Sequence, residues 1–350
     1  MYAARVHGAR DIRYESVPDP EPAPDEVVAA VRAVGVCRTD VEIYEQALFH
    51  YKEGYAKLPI TPGHEWSGEV VAIGREVTRF RVGDRVSGET AIGCMRCRLC
   101  LTGHTNVCPA RVEVGVINRD GAYADLVCVP EHTAHSIGAI PFDHAACVEP
   151  TAVAVWLAKM ARISPSDSVL IVGAGSIGLL CLQAARCFGA HTIVVVERNA
   201  YRRSLAESLG ADATVDGATE SLRDAAQRLT GGDGFDVVIE AAGAPALFED
   251  CVRSTGVLGR LMICGTLGAS KPPLDSDYMI AREIEIRATL GGGSAYPDAI
   301  RLIEQGRMTP GALIAERRPL HEAGAVLASL ADGPVDGVKT LLMPTGEPAR

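Results

Sequence analysis

The chain has 350 residues, 47% of them apolar and 22% charged, which places it among globular proteins and far from charge-rich disordered chains. Lys and Arg number 34 against 44 Asp and Glu, and no basic stripe offsets the net charge of -10, so a nucleic-acid backbone is not an expected partner. At roughly 100 to 200 residues per domain, the length calls for two hydrophobic cores. The most apolar stretch, 169–182, is interrupted by three glycines and is shorter than the roughly 20 residues that span a bilayer, so no membrane partner is expected. Residues 1–10 lack the apolar core and cleavage site of a secretion signal. Eleven cysteines, four of them crowded between Cys94 and Cys108, fit reduced thiols and a metal in the cytoplasm better than a secreted disulfide framework.

In chain order, Pro18, Pro20, Pro22 and Pro24 favour an exposed extended loop, and the runs 27–31 and 69–73 read as strands. Short extended pieces broken by Gly and Pro make the first 150 residues read as all-β. Cys37 lies in Gly35-Val36-Cys37-Arg38-Thr39-Asp40, and His64 and Glu65 follow Pro62-Gly63. By spacing alone neither group is decisive, because a lone Cys or His is more often a packing residue than a ligand. Cys94-x2-Cys97-x2-Cys100-x7-Cys108 is more specific: four thiolates from one short loop can close a tetrahedral site, the structural geometry that zinc accepts. Adventitious or redox-active thiols are the alternative, though neither disulfide pairs nor iron–sulfur clusters commonly use this spacing.

From Pro150 the pattern changes to strand and helix in alternation. We expect a helix near 152–160, a strand at 168–172, a helix carrying Ile177, Leu180, Cys181, Ala184 and Phe188 on one face, a strand at 192–196, and a helix near 200–209 ended by Gly210. Strands at 236–239 and 260–264 follow, and the alternation implies a parallel, doubly wound sheet. Gly173-Ala174-Gly175-Ser176-Ile177-Gly178 stands between the first of these strands and its helix, where glycines permit a tight turn, close approach to a pyrophosphate, and helix–strand packing. Glu197 ends the next strand, nineteen residues after Gly178, where an acid can bind both hydroxyls of an adenosine ribose. The competing reading is a glycine turn in an ordinary α/β sheet, which leaves the acid unexplained. Glu197 favours NAD over NADP by repelling a 2'-phosphate, whereas Arg198, Arg202 and Arg203 could pair with that phosphate, stack on adenine, or be solvated. Beyond 283 come strands at 284–288 and 338–342 and helices near 297–304 and 322–330, a tail too short for a domain and expected to return to the first one.

The ordered set Gly-Val-Cys-Arg-Thr-Asp, Pro-Gly-His-Glu, Val-Gly-Asp-Arg-Val at 82–86, the four-cysteine loop and the glycine fingerprint resembles the zinc-dependent medium-chain alcohol dehydrogenases, within them the sorbitol and threonine dehydrogenase branch. The resemblance runs nearly end to end. It implies an α/β architecture with a GroES-like β-rich catalytic domain at 1–149 and 289–350, a Rossmann domain at 150–288, and an active site in the cleft between them. It also implies two zinc ions per chain, NAD with NADP as the alternative, and a homodimer or homotetramer. On this resemblance Cys37, His64 and Glu149 hold catalytic zinc, with Glu65 a carboxylate able to exchange on the metal. Asp40 orients His64, Thr39 takes the substrate proton, and Cys94, Cys97, Cys100 and Cys108 hold structural zinc. Gly173, Gly175, Ser176, Ile177, Gly178, Glu197 and Arg202 are the expected cofactor residues. For Glu149 a helix N-terminal acid is the competing reading.

Two departures matter. The position five residues after Cys37, where some alcohol dehydrogenases carry a relay histidine, is Glu42, and the Thr39-Asp40-Val41-Glu42 run lacks the histidine expected of threonine dehydrogenases. The expected activity is interconversion of a secondary alcohol (a polyol, cyclitol or amino-alcohol) with its ketone by hydride transfer. A ketone or aldehyde reductase and a threonine 3-dehydrogenase are the enzymatic alternatives. A non-catalytic nucleotide-binding sensor is the alternative of another class, and it has no need of an open metal site.

Overall fold

The computed structural model describes residues 1–265, 270–333 and 335–344. The chain divides into two compact units. One comprises Met1–Ala152, Gly291–Gln305 and the chain from Thr309 onward; the other comprises Val153–Leu290 and Gly306–Met308.

The second unit is built on a six-stranded sheet in the order Ala213–Asp216, Thr192–Glu197, Ser168–Val172, Phe235–Glu240, Thr255–Ile263, Glu285–Ala288. Every neighbouring pair is parallel, and the first and fourth strands in sequence are adjacent, which creates the switch point of a dinucleotide fold. The β-branched run Thr-Ile-Val-Val-Val suits a strand buried on both faces. Leu170, Val194, Val238 and Leu261 from four neighbouring strands pack with Phe248 and Val252 in one core. The expected strands and helices of this unit are present, but the strand read from Arg260 begins at Thr255. The strand Ala213–Asp216 and the helices Leu222–Thr230, Phe248–Ser254 and Ser276–Arg282 were not expected. In Leu222–Thr230 only Leu222, Ala225 and Ala226 are buried, a stripe too narrow to stand out by periodicity. The helix is set instead by Ser221, whose side chain caps the Asp224 N–H, and by left-handed Gly231 at its end.

The first unit is organised around strand Glu26–Gly35, which pairs antiparallel with Glu65–Ile73, with Leu126–Pro130 and with Lys339–Met343. The tail therefore does return to the first sheet, as its outer pair Lys339–Met343 and Ile314–Pro319. Val27, Val31, Val34, Trp66, Val70, Tyr123 and Leu342 share its core. The all-β expectation for residues 1–150 is corrected by four short helices: Arg38–Tyr44, Phe49–Lys52, Arg98–Leu101 and Phe142–Ala145. Arg38–Tyr44 carries Thr39, Val41 and Ile43, β-branched residues that argue against a helix. Burial of Val41, Ile43 and Tyr44, with the Asp40 carboxylate accepting the Cys37 N–H at 2.8 Å, overrides that preference. Among the described residues no helix is long and apolar enough to cross a membrane.

Candidate functional site

Gly35 and Glu65 face each other in register across two paired strands, so the chain just beyond Gly35 and the chain just before Glu65 meet at one end of the sheet. This brings Cys37, at the N-cap of Arg38–Tyr44, to His64 and Glu65. One donor atom from each of Cys37, His64 and Glu65 lies within 4.8 Å of the others. His64 and Glu65 are buried, and Cys37 is half-buried. One thiolate, one imidazole and one carboxylate at these separations fit zinc with a position left over for substrate.

Glu149 is not a member of that group. It sits in the first turn of Val148–Met160, buried, with Oε1 accepting a hydrogen bond from Thr90 Oγ1 at 2.9 Å. Burial pushes its carboxyl up to about 7, the negative charge of Glu65 adding to the effect and His64 opposing it. Thr90 is in turn joined to the returning segment, its N–H donating to the Tyr296 hydroxyl at 3.3 Å.

Asp40 is fully buried and accepts from the Cys37 N–H, from the Gly63 N–H at 3.3 Å and from the Tyr123 hydroxyl at 3.1 Å. Its Oδ1 stands 3.6 Å from His64 Nδ1, a charge contact and not a hydrogen bond. Burial pulls the His64 imidazole down, and the charges of Asp40, Cys37 and Glu149 outweigh it and leave the imidazole well above its ordinary value. Thr39 Oγ1 lies 3.7 Å from Cys37 Sγ. Glu42 makes an i,i+4 ion pair with the exposed Arg38 at 3.9 Å. Neither Tyr123 nor Thr90 nor Lys339 carried a sequence signal, since each acts through contacts between distant parts of the chain.

The four cysteines gather within 4.8 Å of one another, and none of the eleven cysteines is in a disulfide. A tetrahedral site with metal–sulfur bonds of about 2.3 Å sets its sulfurs about 3.8 Å apart. Cys97 Sγ and Cys108 Sγ are 3.8 Å apart. Backbone N–H groups of Cys94 and Cys100 donate to Cys108 Sγ and Cys97 Sγ, as they would to thiolates. The geometry fits a closed zinc site.

In the second unit, the glycine turn joins Ser168–Val172 to helix Ser176–Cys187. Gly173 has φ +99°, which L side chains avoid, and a Cβ on Gly178 would stand 1.9 Å from the Gly173 carbonyl oxygen. A Cβ on Gly175 would meet no atom of the chain within 4 Å. Packing thus demands the first and third glycines, whereas the space above the second is open at the end of a helix with no side-chain cap, as a dinucleotide phosphate requires. Ser176 and the half-buried Ile177 open that helix. Glu197 lies against the turn: Oε2 accepts the Ala174 N–H, and Oε1 accepts those of Arg198 and Asn199, all at 2.8 Å. Arg203 is committed to the Glu197 and Arg198 carbonyls and to Asp216, and the Arg202 N–H donates to Asn199 Oδ1.

Residues 23–139 match the alcohol dehydrogenase GroES-like domain, and residues 176–305 match the zinc-binding dehydrogenase family. The chain is 30% identical to the sorbitol dehydrogenase of Bacillus subtilis (strain 168) over 324 residues, 92% of this chain and 91% of that protein. It is 36% identical to the L-threonine 3-dehydrogenase of Cronobacter sakazakii over 289 residues, 82% of this chain and 83% of that one. Among solved structures, a proposed zinc-binding dehydrogenase from Sinorhizobium meliloti 1021 bound to NADP superposes with a TM-score of 0.90 at 31% identity, covering 98% of this chain and 99% of that chain.

Proposed function

The chain belongs to the zinc-dependent alcohol dehydrogenases, and from that premise we propose that it interconverts a secondary alcohol carrying a neighbouring hydroxyl or amine with its ketone, using NAD in preference to NADP. The observation that carries this reading is the convergence of donor atoms from Cys37, His64 and Glu65 within 4.8 Å. When bound, zinc polarises the reacting hydroxyl or carbonyl, and the nicotinamide takes or returns the hydride.

This chain's residues do the rest. Cys37, His64 and Glu65 hold the metal, while Cys94, Cys97, Cys100 and Cys108 hold a second, structural ion. Asp40, locked by two backbone N–H groups and the Tyr123 hydroxyl, fixes the negative field beside His64. Thr39 Oγ1, 3.7 Å from Cys37 Sγ, accepts the hydrogen bond of the reacting hydroxyl as the first step of its deprotonation. Glu149, aligned by Thr90 and adjoining His64 and Glu65, offers a buried carboxyl to the metal or to a second polar group of the substrate. Buried carboxyl groups beside the substrate disfavour simple alcohols, since an apolar group packed against them shuts out water without supplying a hydrogen bond. The similarity to both a sorbitol and a threonine dehydrogenase supports a polyol or amino-alcohol.

Gly173, Gly175, Ser176, Ile177 and Gly178 bind the cofactor pyrophosphate, Glu197 binds the ribose hydroxyls, and Arg202 borders the adenosine end. The preference for NAD rests on Glu197 and on the engagement of Arg203 elsewhere. The free thiols support a reducing compartment, and we take the working form to be a cytoplasmic homodimer or homotetramer.

The test is a panel of sorbitol, myo-inositol, an aminocyclitol, threonine, ethanol and cyclohexanol, run with NAD and with NADP. Efficient, chelator-sensitive turnover of one of the first four with NAD is expected. Turnover of only the last two overturns the substrate class, and better use of NADP overturns the reading of Glu197.

A further inference from the structure

Glu65 has a second partner besides Cys37 and His64. Its Oε2 accepts a hydrogen bond from Lys339 Nζ at 2.6 Å, and the same Nζ donates to the Val36 carbonyl at 3.1 Å. Lys339 is 3% exposed and Glu65 2%. Lys339 begins the tail strand whose Leu341 faces Gly35, and Gly35 faces Glu65. A Cβ on Gly35 would stand 2.3 Å from Glu65 Oε2. One carboxylate oxygen therefore sits in a slot closed by the bare face of a glycine and a buried ammonium. Lys339 also brings a positive charge that acts on Glu65, on Glu149 and on the Cys37 and Cys147 thiols.

We propose that Lys339 is a positioning residue that holds Glu65 by one oxygen, so that only the other is offered to the metal and a coordination position stays open for substrate. This rests on the reading that Cys37, His64 and Glu65 hold zinc. A carboxylate released from its ammonium partner is free to turn both oxygens to a cation, and doing so fills the place that a hydroxyl must occupy. Removing one partner of a buried ion pair leaves the charge of the other uncompensated on that side, which favours turning both oxygens toward the metal.

The experiment loads cobalt(II) in place of zinc into the wild type, Lys339→Met, Lys339→Arg, Glu65→Gln and the double variant Glu65→Gln/Lys339→Met. Visible absorption reads coordination, and transfer to a chelator reads metal release. Lys339→Met is expected to weaken the cobalt bands as coordination number rises and to slow metal release at least ten-fold, while Lys339→Arg restores most of the wild-type spectrum. A Lys339→Met protein with the wild-type spectrum and release rate overturns the role. The double variant removes both charges together and so remains testable where Lys339→Met alone does not fold. Its release rate is expected to equal that of Glu65→Gln, and a difference between the two shows that Lys339 does not act through Glu65. A wild type that takes up cobalt only at the four-cysteine loop refutes the metal reading itself, whereas uptake at both sites with an indifferent Lys339 refutes only the positioning role.

Discussion

The four-cysteine group draws its donors from one loop between Cys94 and Cys108, whereas the group at Cys37 and His64 is assembled from strand ends, a helix cap and, through Lys339, the tail of the chain. The first has four like ligands and no position to spare. The second mixes a thiol, an imidazole and a carboxylate, with Asp40 and Lys339 against them and Tyr123 holding Asp40 in turn. A closed group is a staple, and metal bound there contributes directly to folding. An open group must be held in shape by the protein, because its metal alone does not dictate the arrangement.

The sharpest way to break this contrast is to remove one ligand from each group. Cys37→Ala or His64→Ala should reduce metal content from two ions to one and lower activity on the order of a thousand-fold or more, because polarisation by the metal is worth several kcal/mol of barrier. Loss of both ions from either variant would falsify the independence of the two groups. Cys97→Ala should do the reverse, losing the other ion and lowering Tm by roughly 5 °C or more while activity stays within about ten-fold of wild type. If that variant keeps its melting temperature, the loop does not act as a staple.

The same opposition between packing and ligand requirement can be tested in the second unit. Glu197→Ala should raise KM for NAD by roughly ten- to a hundred-fold, the worth of hydrogen bonds to a charged group, and narrow the preference over NADP with both metals retained. Steady-state kinetics with the two cofactors decides it. Gly175→Ala places a methyl group in open space, so about a ten-fold loss in NAD affinity with an unchanged Tm is expected. A large fall in Tm would mean that the second glycine serves packing after all.

What could be seen in the sequence follows the same division. The cysteine spacing and the strand, glycine turn, helix and acid from Ser168 to Glu197 are local, so linear spacing carries their geometry. Cys37 and His64 were ambiguous by spacing, and family resemblance was needed to single them out. Lys339, Thr90 and Tyr123 act through contacts across the fold, and residue type and spacing give no hint of such partners. Glu149 marks the middle case: its acid was singled out, but only the fold shows that it meets Thr90, beside the Cys37, His64 and Glu65 group. The helix Arg38–Tyr44 was hidden because its β-branched residues contradict its conformation, and tertiary burial decided against local preference.

The strand Lys339–Met343 also sets a clock for biosynthesis. Val36 and Lys339 are hydrogen-bonded yet 303 positions apart. At roughly 5 to 20 residues per second, the ribosome needs on the order of 15 to 60 s after Val36 before Lys339 exists. Throughout that interval strand Glu26–Gly35 lacks one of its partners and Glu65 lacks its cation, whereas the strands from Ser168 to Ala288 are complete well before synthesis reaches Lys339. The nascent chain can therefore finish its nucleotide-binding sheet first and carries an incomplete catalytic sheet until the last strand arrives.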